Sequence, residues 1–267
     1  MKKILLYFAT YCIIQIVCSL GVGKLMVLTN GEEASQGTII ILSAIVSSIV
    51  TLGVFLFASW TPVTRTYLSH KPIAATLWTV VLSLGMLIPS MMLEEIIPDN
   101  LREDLLKDVF MTMLESPWGY LHIAILAPIV EEVVFRGAIQ RAAERYFSTY
   151  GRRGSRFAIA LSATLFAVVH GNPAQIPHAM VVGIILGWMC HRSGSIVPGI
   201  ILHFINNSMA FLLYHLYPQS YDMSVFEFFG NSISTITVIV LCSLYFFFRG
   251  GYMLNKIWSN NEGEAER

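Results

Sequence analysis

The chain has 267 residues, of which 55% are hydrophobic and 13% charged, with a mean hydropathy of +0.64. Soluble domains carry about 25% charged residues, so the composition excludes a soluble class and specifies an integral membrane protein. The formal net charge of zero excludes the global basic field that attracts nucleic acid.

Membrane-spanning helices need about 20 mostly apolar residues, and the chain offers eight candidates. The first is Ile4 to Gly23, behind Lys2 and Lys3. It imitates a signal peptide, but its apolar run is long and no Ala-x-Ala site follows, so an uncleaved span is expected. The second, Thr38 to Ser59, holds no charge, and the third is Ile73 to Leu93. A polar stretch with seven acids and two bases follows, Glu94 to Ser116, in which Leu101, Leu105, Leu106 and Val109 suggest a short amphipathic helix. The fourth span begins at Trp118. The fifth runs from Phe157 to His170, the sixth from near His178 to Cys190, the seventh from Ile196 to Leu216 and the eighth from Asn231 to Phe248. Gly183 and Gly187 in the sixth would let a neighbouring helix approach closely. Cys12, Cys18, Cys190 and Cys242 all sit in apolar runs with no CxxC pair, which predicts free thiols.

Bases in short loops set the orientation of such a chain. They alternate: Lys2 and Lys3, then Arg65 and Lys71, then the run Arg136 to Arg156, then Arg192, then Arg249 and Lys256. The intervening loops carry few. The expected fold is therefore an all-α polytopic membrane helical bundle of about eight transmembrane helices with both termini cytoplasmic. It forms a single integral membrane domain over 1–267.

The most unusual stretch is Ala127 to Gly137, where Glu131 and Glu132 interrupt an apolar run. Each intramembrane charge costs about 2.5–3.5 kcal/mol on insertion scales, so it needs a partner or a use. Successive helical residues turn by about 100°. Glu132 and Arg136, four apart, share a face and can pair, whereas Glu131, five from Arg136, points away and is left free. Pro128 should kink the helix. Phe166 and His170 close the fifth span, and His203 and Asn207 lie within the seventh, each pair four apart and on one face. A span ending at Phe135 would leave Glu131 near the cytoplasmic surface, too far from His170. A helix continuing from Trp118 through about Tyr146 removes that mismatch and is expected. Glu131, His170, His203 and Asn207 together offer a base, a proton carrier and two donors, which a hydrolase requires.

Glu131-Glu132-x-x-x-Arg136, Phe166-x-x-x-His170 and His203-x-x-x-Asn207, in that order, resemble the CAAX protease and bacteriocin-processing family of intramembrane endopeptidases. The segment Arg192-Ser-Gly-Ser-Ile-Val-Pro-Gly is also similar to that family. The resemblance covers about 118–217 as a CAAX-protease-like catalytic core. It implies a peptide hydrolase in which Glu131 activates water assisted by His170, His203 and Asn207 stabilise the oxyanion, and Glu132, Arg136 and Phe166 support the site. It implies a membrane-associated peptide or protein substrate, prenylated CAAX-type or bacteriocin-like, the lipid bilayer as a partner, no nucleic acid, and a place in a bacterial inner membrane. Members have been labelled metalloproteases, and a zinc ion would fall to Glu131, His170 and His203. No His-Glu-x-x-His is present, and a reaction without a cofactor is the favoured expectation. The alternatives are the zinc-dependent form of the same protease and a non-catalytic immunity or transport-type membrane protein using the same polar groups. Matching halves with broken helices, expected of a transporter, are not visible. Ser193 and Ser195 lie in a short polar loop away from any serine–histidine pattern, and His122, His178, His191 and His215 are expected to be structural or interfacial.

Overall fold

The computed structural model describes residues 1–30, 35–65, 67–68, 73–97, 107–173 and 175–265. Among them every regular element is helical. α1 is Lys2–Asn30, α2 Gln36–Phe57 and α3 Ile73–Glu94. α4, Lys107–Leu114, is the described end of the expected amphipathic helix; Leu101, Leu105 and Leu106 lie outside the described residues. α5 is an unbroken helical run over 117–146. α6 is Arg152–Val168, α7 Ile176–Ser193, α8 Val197–Leu216, α9 the single turn Val225–Phe228, and α10 Ile233–Ala265.

Among the described residues, five helices are long and apolar enough to cross a membrane: α1, α2, α3, α8 and α10. Their outer faces expose large apolar side chains such as Leu20, Leu28, Ile49, Phe57, Ile73 and Phe248. A soluble monomer rarely exposes contiguous apolar surface on that scale, so these faces fit lipid. α5, α6 and α7 pack against one another. They supply much of the buried core, including Val134, Phe135, Ile139, Ala158, Phe166, Val182 and Leu186.

The helix through Tyr146 is observed, and its ends follow from capping chemistry. Ser116 at the N-cap accepts from the Trp118 amide at 3.3 Å, with Pro117 in the first helical position. The interior departs from the expectation of a simple proline kink. Leu121–Leu126 and Glu132–Gln140 are π-helical, with turns wider than those of an α-helix. The Ala127 amide bonds to the His122 carbonyl, five residues before it. The next amide in that register would come from Pro128, which has none. Its missing partner is therefore the Ile123 carbonyl.

The cysteines are free, as expected. Gly183 and Gly187 are close-approach points. A Cβ on Gly183 would sit 3.0 Å from Ala163 of α6, and one on Gly187 would sit 2.8 Å from Oε1 of Gln140.

Candidate active site

Glu132 and Arg136 form the pair that their spacing predicts. Glu132 Oε1 and Arg136 Nη1 are 2.9 Å apart, and both side chains are completely buried. Arg136 does more than neutralise the acid. Its Nη2 donates to the Gly183 carbonyl at 3.1 Å, and its guanidinium lies over the Phe166 ring at 4.5 Å. One turn on, Gln140 Nε2 donates to the Gly187 carbonyl at 3.0 Å. Two donors four residues apart on α5 thus meet two carbonyls four residues apart on α7. The glycines permit the approach, and their carbonyls receive the bonds. The other side of Glu132 is closed by α8, where a Cβ on Gly199 would fall 2.5 Å from Glu132 Oε2.

Glu131 turns elsewhere. Its Oε2 lies 3.5 Å from Nε2 of His203 on α8. The sequence geometry left Glu131 without a partner; the fold gives it an imidazole. The two acids also differ in access, since 16% of the Glu131 side chain remains exposed against none of Glu132. His203 Nδ1 is buried and makes no hydrogen bond among the described residues.

Phe166 joins the rest. Its ring meets His170 edge-on at 4.8 Å between centroids, and His203 at 5.7 Å. Both imidazoles and the Arg136 guanidinium therefore surround one phenyl group. α6 ends at Val168, so His170 sits in the turn beyond it rather than on the last helical turn. Its Nδ1 nevertheless reaches the Phe166 carbonyl at 2.8 Å. A carbonyl only accepts, so Nδ1 carries the proton.

Asn207 stands one turn from His203 on α8. Its Nδ2 donates to the Ile123 carbonyl at 2.8 Å, the group that Pro128 leaves unpaired, and its Oδ1 receives Nδ2 of Asn206 at 3.3 Å. None of its hydrogen bonds runs to Glu131. The other π segment is held the same way. Thr61 Oγ1 donates to the Val133 carbonyl at 2.6 Å, Ser162 Oγ to that of Phe135 at 2.9 Å, and the Tyr67 hydroxyl to that of Arg136 at 3.4 Å. Sequence reasoning missed these residues. Gln140, spaced four from Arg136 like the two glycines, is the one with a readable signal.

Several other polar residues have structural partners. His122 faces Ser48, His191 faces Glu144, and His215 bonds to the Phe211 carbonyl. Ser195 donates to the Tyr67 carbonyl at 2.8 Å and caps the Val197 amide at 3.1 Å, so it serves the start of α8.

Among the described residues, no three His, Cys, Asp or Glu side chains gather in a set able to hold a metal ion. The metalloprotease label therefore finds no support in the arrangement of the described residues.

Comparison with known proteins bears on the same segment. Residues 113–209 match the family described as type II CAAX prenyl endopeptidase Rce1-like. The matched stretch contains all three motifs and spans α5 to most of α8, in agreement with the resemblance carried by those motifs. No curated protein and no solved structure gives a significant match to the chain.

Proposed function

We propose that this protein is an intramembrane CAAX-type endopeptidase with Glu131 as the general base. The observation that supports it best is the contrast between two adjacent carboxylates. Glu132 is sealed against Arg136 with no exposed surface, while Glu131 keeps an accessible edge beside an imidazole. A structural ion pair needs only the first of these acids. A partly exposed carboxylate beside an imidazole supports a general-base role for the second.

In this reading Glu131 takes a proton from a water molecule as the water oxygen bonds to the scissile carbonyl carbon. The carbonyl π electrons move onto oxygen and form a tetrahedral oxyanion. His170 assists by positioning the water. His203 is the principal donor to the oxyanion, and the second amide hydrogen of Asn207 is the other. Collapse breaks the C–N bond, and the proton on Glu131 passes to the leaving nitrogen. Each step uses the carboxylate, the imidazoles and the amide alone. The substrate is a membrane-associated peptide or protein, prenylated CAAX-type or bacteriocin-like, and the proposed location is a bacterial inner membrane.

The test is cleavage of a farnesylated CAAX-type peptide by the full chain in detergent, followed by mass spectrometry. Glu131→Gln should lower the rate by about 100-fold or more, the usual worth of a general base, with a melting temperature close to wild type. Undiminished cleavage by Glu131→Gln would remove the mechanism. A wild-type protein inert on this peptide but active on other membrane peptides would remove the CAAX assignment.

A further inference from the structure

Four cations meet at one end of the bundle, away from Glu131. Lys2 and Lys3 open α1, and Arg141 and Arg145 lie in the last turns of α5. They line two adjoining crevices of about 450 and 560 Å³, and Lys3 and Arg145 line both. Trp60 and Tyr146 complete the walls. Trp60 is fixed by its contact with Tyr7, 4.6 Å between centroids. No acidic residue lines either crevice. The acid nearest in sequence, Glu144, is held by Gln140 of its own helix at 3.2 Å and by His191 of α7 at 3.0 Å.

Among the described residues none of the four cations has an ion-pair partner; Arg141 lies over the Tyr67 ring at 5.2 Å. Two of them also stand in an unfavourable place. Lys2 and Lys3 occupy the N-terminus of α1, where the helix dipole repels cations, and no acid in the first turn offsets them. Like charges converging without counterions repel one another. A bound anion would relieve both effects. The flanking Trp and Tyr are the residues that sit at headgroup depth, and basic pockets between helices at that depth hold phosphate-bearing headgroups.

We propose that this double crevice binds a phosphate group, presented by an anionic phospholipid or as free phosphate, and that the bound phosphate ties α1 to the end of α5. The full chain is purified in neutral detergent and titrated separately with phosphatidylglycerol, phosphatidylcholine and inorganic phosphate. Melting temperature and native mass spectrometry are the readouts. Phosphatidylglycerol should bind saturably and raise the melting temperature more than phosphatidylcholine does. A surface cation is worth about fivefold in affinity for an anionic headgroup, so Lys3→Gln/Arg145→Gln should weaken binding about 25-fold. The charge-matched control Arg152→Gln/Arg153→Gln, exposed and outside the crevices, should weaken it less than about twofold. Phosphate acting in the same variant-sensitive way would name the free ion as sufficient, and phosphate without effect would assign the site to the lipid. Equal response to phosphatidylcholine, or equal loss in both double variants, would overturn the proposal.

Discussion

Removing Arg136 tests the architecture of the site more severely than removing the proposed base. Arg136→Ala strands Glu132, whose side chain has no exposed surface, in a place closed on its far side by α8. Breaking a buried pair costs about 3–5 kcal/mol because the surviving charge stays uncompensated. The same change takes the donor from the Gly183 carbonyl, worth about 1–3 kcal/mol if left unmade, and the cation from the Phe166 ring, worth about 0.5–2 kcal/mol. These losses share one cavity and do not add fully, so about 4 kcal/mol is a fair expectation. One kcal/mol shifts the melting temperature of a chain of this size by about 2–4 °C, so the variant should melt at least about 8 °C below wild type and be inactive. The double variant Glu132→Gln/Arg136→Ala no longer strands a charge and should recover part of that loss without recovering cleavage. Melting curves in one detergent, with peptide cleavage on the same samples, give both numbers. An Arg136→Ala protein that melts within about 2 °C of wild type would refute the reasoning. So would a double variant no more stable than the single.

Glu131→Gln should behave oppositely, with near-normal melting and little cleavage, because a partly accessible carboxylate adds little to stability. Asn207→Ala should cost about 1–3 kcal/mol by orphaning the Ile123 carbonyl. In a Pro128→Ala background, which restores an amide for that carbonyl, the penalty should shrink; equal penalties in a double-mutant cycle would show that Asn207 does not serve the π turn. Gly199→Ala should cost about 1–3 kcal/mol, the usual range for overpacking, since its Cβ would fall 2.5 Å from Glu132 Oε2; unchanged stability would deny that α8 seals Glu132. Reporter fusions after Arg156 and near Asn255 should read cytoplasmic and one near Asn100 external, and the reverse pattern would discard the proposed orientation.

Much of this was legible in the sequence because it depends on periodicity alone. Apolar runs of spanning length predicted the helices, and the bounds observed for α2, α3 and α8 lie within about two residues of those expected. The Glu132–Arg136 pair follows from a four-residue spacing, which keeps two side chains on one face. Continuation of α5 to Tyr146 followed from the need to bring Glu131 to the depth of His170. Tertiary structure decided the rest. Whether Glu131 has a partner depends on how α8 docks against α5, and no local pattern encodes that docking. The polar contacts of the π turns come from Thr61, Tyr67, Ser162 and Asn207, brought from four distant segments to donate to carbonyls within them. Without Asn207, the Ile123 carbonyl opposite Pro128 would stay unpaired inside the bundle, at a cost. The amino-acid order thus determined which residues share a helix face, while packing between helices determined which faces meet and what each polar group finds there.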